Sequence, residues 1–349
     1  LVDAARQPLR LLFVPVSGAY GMGEYARSLA IAHAAKIRWP DARMHFLLSV
    51  QAPYAAATPF EHTLLPASPT FHSAEVIACM RRFRPDVVLF DNAGRTAQLV
   101  AAHASGAAVI YISSRRRQRR KAFRWRWMGL LDEHWIAYPE FIAGAPGPLE
   151  RLKLALRRRP RLRYLDLILS PESGSIPAVR LDEKFMLVIP GGGTGHPGAA
   201  DAVARFFAAA ERLAAEGVRT VFVGPADGAA AANLQILGRV PQAELGALLR
   251  SAALVVVNGG STLLQAIGCG SACVAVAIAK DQRERIRRCV AAGVAIDAPL
   301  ETAAMANAAL ALWRDAPARE SLARRAADLR LANGLDVALE GIAASLRRI

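Results

Sequence analysis

The chain has 349 residues, a length that fits two domains, and with 53% hydrophobic against 21% charged residues it is a folded rather than a disordered chain. Its four cysteines, Cys79, Cys269, Cys273 and Cys289, show no Cys-x-x-Cys spacing, which argues against a disulfide framework or a thiolate metal site and for buried reduced thiols. The net charge of +15 is local: residues 115–126 hold eight cations and 151–163 seven, neither with an acid, and the remaining 29 Lys+Arg equal the 29 Asp+Glu.

The first predicted strand, residues 9–16, runs into Ser17-Gly18-Ala19-Tyr20-Gly21-Met22-Gly23-Glu24, and a helix over 24–36 follows. The loop follows a strand, so Gly21, Gly23 and Glu24 are expected at the sheet's ligand edge. A carboxylate there can take a proton from an attacking hydroxyl if burial raises its pKa. It can equally be an ordinary first-turn Glu that complements the helix dipole. Further strands are predicted at 44–50, 87–91, 109–113, 134–138 and 164–169. Asp91-Asn92 closes one of them at the same edge and either orients an acceptor or caps the next helix; His134 and Tyr138 are similarly open readings.

The basic segment after residue 113 interleaves Arg115, Arg116, Arg117, Arg119 and Arg120 with Phe123, Trp125 and Trp127. The second places Leu149, Leu152 and Leu156 on one helical side among Arg151, Lys153 and 157–159. Cations with interfacial aromatics suit an anionic membrane surface. A solvated charged loop or single-stranded nucleic acid would use the same residues, though no nucleic-acid motif accompanies them. No apolar run approaches the roughly 18 residues that span a bilayer, and the first residues do not have the form of a secretory signal.

A Ser/Pro/Gly-rich stretch within 170–184 reads as a linker. Beyond it, strands are predicted at 185–190, 220–223, 234–237, 254–258, 273–278 and 294–296, alternating with helices at 199–216, 242–251, 261–268 and 283–292. Strand–helix alternation, run twice, implies an α/β chain of two Rossmann-like domains with parallel sheets facing a central cleft. The expected bounds are 1–176, 177–334 and a tail helix at 335–349 that packs on either domain.

In the second half, Asn258 ends a strand, Gly259 and Gly260 allow close backbone approach, and Ser261-Thr262 opens a helix whose free N–H groups and dipole suit a phosphate. Gln265 follows one turn on, where its amide can reach ribose hydroxyls; Asp281 and Gln282 follow the next strand and suit a polyol. Gly191-Gly192-Gly193-Thr194-Gly195-His196 is a second such loop, with His196 a possible donor to a pyrophosphate. The alternative is a plain strand-to-helix turn with Asp281 as a helix cap.

Pro241-Gln242, Gly259-Gly260-Ser261-Thr262, Leu264-Gln265-Ala266-Ile267 and Asp281-Gln282 resemble the nucleotide-sugar signature of GT-B glycosyltransferases, nearest the UDP-glycosyltransferases and the undecaprenyl-linked N-acetylglucosaminyltransferase of peptidoglycan synthesis. The resemblance implies that Val240 and Gln242 lie beside the base and ribose, Gly260, Ser261 and Thr262 hold the diphosphate, Gln265 contacts the ribose, and Asp281 and Gln282 contact the sugar. Gln265 stands where the family has Glu, and Asn258 where UDP-glycosyltransferases have His. Gly21-Met22-Gly23-Glu24-Tyr25-Ala26-Arg27 is also similar to a Gly-x-Gly-His-x-x-Arg stretch of the nucleotide-sugar hydrolase of pseudaminic acid synthesis, with Glu24 at the His position.

No Asp-x-Asp and no His/Cys cluster at metal-ligand spacing is present, so a metal-independent transferase without a cofactor is expected. Its donor would be a nucleotide-sugar, UDP-linked by resemblance, its base Glu24, and its acceptor lipid-linked or part of a cell-envelope polysaccharide. Either a hexosyl or an N-acetylhexosaminyl group would be moved. A cytoplasmic protein peripheral on the inner membrane face follows from that reading. Its rivals are a nucleotide-sugar hydrolase, a non-catalytic binder of anionic polymer or membrane, and a nucleotide-sugar isomerase.

Overall fold

A computed structural model describes residues 8–19, 22–169, 179, 183–191, 199–226, 231–238 and 240–347. They form two compact units, one from residues 1–168 with 332–349, the other from 169–331. In chain order the first comprises β1 (Arg10–Pro15), α1 (Gly23–Arg38), β2 (Arg43–Ser49), β3 (Glu61–Leu65), α2 (Ser73–Phe83), β4 (Val87–Asp91), α3 (Thr96–Ala104) and β5 (Ala108–Ser113). It continues with α4 (Arg116–Ala122), α5 (Trp125–Met128), β6 (Glu133–Ile136), α6 (Glu140–Ala143), α7 (Pro148–Arg157) and β7 (Arg161–Tyr164). The second unit contains β8 (Met186–Ile189), α8 (Ala199–Ala215), β9 (Thr220–Val223), β10 (Leu234–Leu237), α9 (Gln242–Ser251), β11 (Leu254–Asn258) and α10 (Ser261–Gly268). After these come β12 (Cys273–Val276), α11 (Lys280–Ala291), β13 (Ile296–Ala298), α12 (Thr302–Arg314) and α13 (Ala316–Asp328); α14 (Gly334–Leu346) returns to the first unit.

Every pairing between these strands is parallel, and the orders are β3-β2-β1-β4-β5-β6-β7 and β10-β9-β8-β11-β12-β13. Both sheets are doubly wound: the chain leaves its first strand in one direction, returns, and continues in the other. The crevice where the order reverses lies between β1 and β4 in one unit and between β8 and β11 in the other, outside the strands' carboxyl ends.

Period-two side-chain alternation explains the layers. Leu11 and Phe13 enter one core with Val87, Leu89 and Ile110, while Leu12 and Val14 enter the opposite core with Val88, Phe90 and Val109. Burial on both faces is why these strands read as continuous apolar runs. In the second unit Met186, Val188, Leu254 and Val256 share one core, and Leu187, Val255 and Val257 on the other face are fully buried.

The edge strands depart from the sequence reading. No strand was expected at β3, Glu-His-Thr-Leu-Leu, whose half-exposed polar residues hide the alternation. Where a strand was expected at 164–169, pairing instead covers β7, Arg-Leu-Arg-Tyr, and beyond it only a bridge joins Leu167 to Asn333. The arginines are explained by partners: Arg163 Nε donates to Glu133 Oε2 of β6 at 2.7 Å. The tail helix α14 packs on α1, and its Leu335, Ala338 and Ile342 complete the first unit's core. Gly341 permits that approach, since a Cβ there would stand 2.6 Å from the Trp135 ring. The expected linker lies largely outside the described residues.

Candidate functional site

At the carboxyl ends of β1 and β4 the polar groups are built in layers. The innermost is Asp91, which is fully buried, with both carboxylate oxygens bonded at 2.8 Å to Nε and Nη2 of Arg27 on α1. Burial pushes the Asp91 carboxyl up to about 6, against the pull of Arg27 and with a smaller push from Glu24. The Arg27 guanidinium is raised, its carboxylate partner outweighing the burial that would lower it. A carboxylate so engaged cannot orient an acceptor, and the acceptor role read for Asp91 is corrected to that of a buried anchor.

Asn92 carries the next layer. Its φ of 52° lies in the left-handed region, which Asn tolerates better than most residues. That turn aims the side chain outward, where Nδ2 donates to Glu24 Oε1 at 2.8 Å and to Ser114 Oγ, and Oδ1 accepts from the Ser114 amide at 2.9 Å. Glu24, 14% exposed, therefore has one oxygen fixed by Asn92, with Arg115 Nη2 3.7 Å from the same oxygen. It lines a cavity of about 470 Å³ together with Val16, Phe71, Asn92, Arg95 and Lys121. Gly23 starts α1 and has open space where a Cβ would lie; Gly21 falls outside the described residues.

His134 belongs to the core and not to this site. It is fully buried, its Nε2 lies 2.9 Å from Ser113 Oγ, and burial, reinforced by Arg119, drives it down to about 3. Cys79, Cys273 and Cys289 are buried free thiols and Cys269 is half-buried.

The basic segments divide. Arg119 turns inward: it donates to the carbonyls of Ala143, Gly144 and Ala145 and pairs with Glu150 at 2.9 Å. Trp127 is buried, edge-on to Tyr111, with its Nε1 donating to Thr96 Oγ1 at 3.0 Å. Neither presents itself to a membrane, which corrects that part of the sequence reading; the signal was real, but it marked the packing of α4 and α5. Arg115, Arg116, Arg117, Arg120 and Trp125 are exposed. So is the apolar side of α7, with Leu149 at 64%, Leu152 at 55% and Leu156 at 67%, and α7 buries none of its residues. The Arg157 guanidinium lies 4.4 Å over the Trp125 ring and joins the two surfaces. No helix among the described residues is long and apolar enough to cross a membrane.

In the second unit, Gly191, Asn258, Gly259 and Gly260 meet at the ends of β8 and β11. The turn is held largely by the protein itself. The Gly259 amide donates to Val276 O at 3.0 Å, the Gly260 amide to Asn258 Oδ1 at 2.9 Å, and the Gly259 carbonyl accepts from Arg285 Nη1. The glycines are explained by that packing. A Cβ on Gly191 or Gly260 would strike the Asn258 side chain, and one on Gly259 would lie 2.7 Å from Ile286 and 2.9 Å from Gln282. That packing calls for glycine at these three positions independently of the phosphate approach read from sequence. The amides of Ser261 and Thr262, at the start of α10, have no protein partner among the described residues. These and the two hydroxyls are what the turn offers an anion.

Around the turn, Gln265 and Gln242 come together, Nε2 to Oε1 at 3.3 Å, and with Leu169, Leu245 and Leu249 they line a narrow crevice. Gln282 is buried and its Oε1 accepts from the Ile278 amide at 3.0 Å, so only its NH₂ remains open to a ligand. Asp281 is 77% exposed, 3.8 Å from Arg285, and does not cap α11, whose cap is Ala279. Val240 is half-exposed just before α9. Gly192, Gly193 and His196 lie outside the described residues. No group of three or more His, Cys, Asp or Glu among the described residues is placed to hold a metal ion.

No protein-family model and no curated protein sequence matches this chain. Solved structures do. The glycosyltransferase SnogD from Streptomyces nogalater is 17% identical, over 97% of this chain and 100% of that one, with a TM-score of 0.65. Acinetobacter baumannii MurG is 15% identical over 97% and 100%, with a TM-score of 0.62. The fold is GT-B. A putative UDP-N-acetylglucosamine 2-epimerase from Listeria monocytogenes is also similar, 12% identical over 96% and 94% at a TM-score of 0.56, so this architecture alone does not select transfer over isomerisation.

Within the GT-B frame, the sequence reading missed the far wall of the N-terminal cavity. Ser68, Thr70 and Phe71 follow the unrecognised β3, and Arg95, Lys121 and Arg124 complete the lining. Arg95 stands four residues past the end of β4, and that position after an inner strand was a usable signal.

Proposed function

We propose that this chain is a glycosyltransferase that passes a sugar from a nucleoside diphosphate donor, UDP-linked, to an acceptor hydroxyl. The observation that carries the reading is Glu24, held by Asn92 at 2.8 Å on the wall of a cation-lined cavity at the β1/β4 crevice. The free carboxylate oxygen of Glu24 takes the acceptor's hydroxyl proton. The acceptor oxygen attacks the anomeric carbon, the carbon–phosphate oxygen bond breaks, and the nucleoside diphosphate departs with the bonding pair. The second unit supplies the donor side: the Ser261 and Thr262 amides and hydroxyls take the diphosphate, Gln265 with Gln242 the ribose, and the Gln282 NH₂ with Asp281 the sugar. Leaving-group charge is then met by oriented amides and the dipole of α10, with no metal ion required.

The exposed leucines of α7, with Trp125 and the cations around them, support a further part of the reading. The first unit rests on an anionic membrane face and draws a lipid-linked acceptor from it. That would place the protein on the cytoplasmic side of a cell envelope.

Two measurements test the transferase. A nucleoside diphosphate at 100 times its dissociation constant should stabilise the chain by about 2.7 kcal/mol in a thermal-shift series. Glu24→Gln should then lower turnover by about 10² to 10⁴-fold with nucleotide affinity intact. Near-full turnover in that variant removes Glu24 from the mechanism. Complete donor hydrolysis without an acceptor makes the protein a hydrolase, and conversion of the donor to an isomer makes it an isomerase.

A further inference from the structure

The cavity at Glu24 is strongly cationic. Arg95, Arg115, Arg117, Lys121 and Arg124 line it against one carboxylate, Glu24, a surplus of four charges. Arg115 stands 3.7 Å from Glu24; the other four have no ion-pair partner among the described residues. Elsewhere in the same unit inward arginines are paired: Arg27 with Asp91, Arg119 with Glu150, Arg163 with Glu133. Two of the four are held in place by neutral groups instead. Arg95 Nε donates to Thr70 O at 3.0 Å with its guanidinium 5.8 Å over Phe71, and Lys121 Nζ donates to Gly94 O at 3.1 Å and lies 4.4 Å over Trp127.

These contacts position charge without neutralising it. The Lys121 ammonium registers the result: burial lowers its pKa, and Arg95, Arg124 and Arg117 lower it further. The same lining carries two buried hydroxyls with no partner, Ser68 Oγ and Thr70 Oγ1, and an unpartnered amide oxygen, Gln118 Oε1, which can accept from an acceptor's hydroxyl but not bind an anion. Unpaired cations with unsatisfied hydroxyls describe a site missing its anion. A carboxylate would bring one charge; a phosphate ester brings up to two and three strong acceptor oxygens, which the planar arginine forks match.

We propose that this cavity takes an acceptor bearing a phosphate ester, its phosphate among Arg95, Arg117, Lys121 and Arg124 and its reacting hydroxyl toward Glu24. The proposal rests on the reading of this cavity as the acceptor site. It narrows the acceptor to a class in which the phosphate belongs either to a soluble ester or to a lipid headgroup.

Calorimetric titration of the full chain with glycerol 3-phosphate, beside glycerol, tests it. The ester should bind saturably at about 1 mM or tighter, and at least about tenfold tighter than glycerol. Arg117→Ala with Arg124→Ala should weaken it by about tenfold or more; Lys121→Gln, an independent variant, should do the same. Arg116→Ala with Arg120→Ala removes equal charge from beside the cavity and should change the affinity by less than about twofold. Thermal midpoints of all variants establish that they fold.

If the phosphate is a headgroup, phosphatidylglycerol vesicles bind in place of the soluble ester with the same dependence on Arg117 and Arg124. Equal binding of glycerol, or equal loss of soluble-ester affinity in both arginine pairs, overturns the proposal. A nucleoside diphosphate titrated in parallel keeps the two readings apart. Its failure to bind sinks the donor half of the transferase reading, while ester binding at Arg117, Lys121 and Arg124 is decided by its own variants.

Discussion

The two strand-order reversals of this molecule solve one geometric problem in opposite ways. Between β1 and β4, the polar residues point outward from a buried ion pair, and Asn92 carries the connection from Asp91's strand to Glu24 and an open cavity. Between β8 and β11, the turn folds back on itself: Asn258 accepts from Gly260, Arg285 reaches the Gly259 carbonyl, and the glycines make room for those contacts. The lesson is that a glycine-rich turn at a switch point is not in itself a ligand cradle. What marks a site is the polar capacity left over after the protein has satisfied its own backbone, and by that measure, among the described residues, the first crevice holds more of it.

The largest effect should come from breaking the buried pair under the first site. Asp91→Ala leaves the Arg27 guanidinium, 12% exposed, without either of its two bonds. Removing one partner of such a pair costs about 3–5 kcal/mol. Denaturant unfolding should show that loss in the first unit's transition, with the second unit's transition unmoved. Replacing both partners by apolar residues, Arg27→Met with Asp91→Leu, should recover much of it. A loss below about 1 kcal/mol in the single variant would mean that the pair does not anchor the crevice.

This comparison bears on what could be read from sequence. Both sheets were legible because inner strands such as Leu11–Val14 and Leu254–Val257 are buried on both faces and advertise themselves as unbroken apolar runs. The edge strands β3 and β7 were not, because their residues answer to single partners, Arg163 to Glu133 and His45 to Thr63 across β2 and β3, rather than to a periodic face. Glu24 and Asn92 were legible as residues following inner strands. Arg119 and Trp127 were misread because composition reports that cations and aromatics are near each other, not that carbonyl oxygens at 143–145 or Thr96 lie waiting for them. The cavity's cations required the tertiary fold, since Arg95, at the cap before α3, and Lys121, on α4, converge from separate segments.

A smaller effect separates the units by pH. His134 in the first unit is neutral when folded, its pKa driven down to about 3 by burial, whereas the strongly shifted groups of the second unit's core are the thiols of Cys273 and Cys289, raised far above neutrality. Below about pH 6.5 the unfolded chain protonates this histidine and the folded chain does not. The stability His134 contributes is therefore present above pH 6.5 and lost as the pH falls toward 3, by about 1.4 kcal/mol per pH unit. The difference in stability between the parent and His134→Asn isolates the histidine. It should change over pH 6.5 to 4 and be flat above 7; a difference constant across that range would mean that His134 is protonated in the folded state.

The smallest effect sharpens the account of the second turn. Asn258→Ala removes one hydrogen bond to the Gly260 amide, at a cost of about 1 kcal/mol. The consequence for nucleotide binding has a definite sign on each view. If Asn258 serves the turn alone, its loss releases the Gly260 N–H beside those of Ser261 and Thr262, and a diphosphate has one more donor to use, so affinity holds or rises while stability falls. If Asn258 touches the nucleotide, affinity falls with stability. Titrating a nucleoside diphosphate into this variant therefore distinguishes a self-satisfied turn from a first contact to the donor. Only the second outcome would restore to Asn258 the binding role that its place in the sequence suggested.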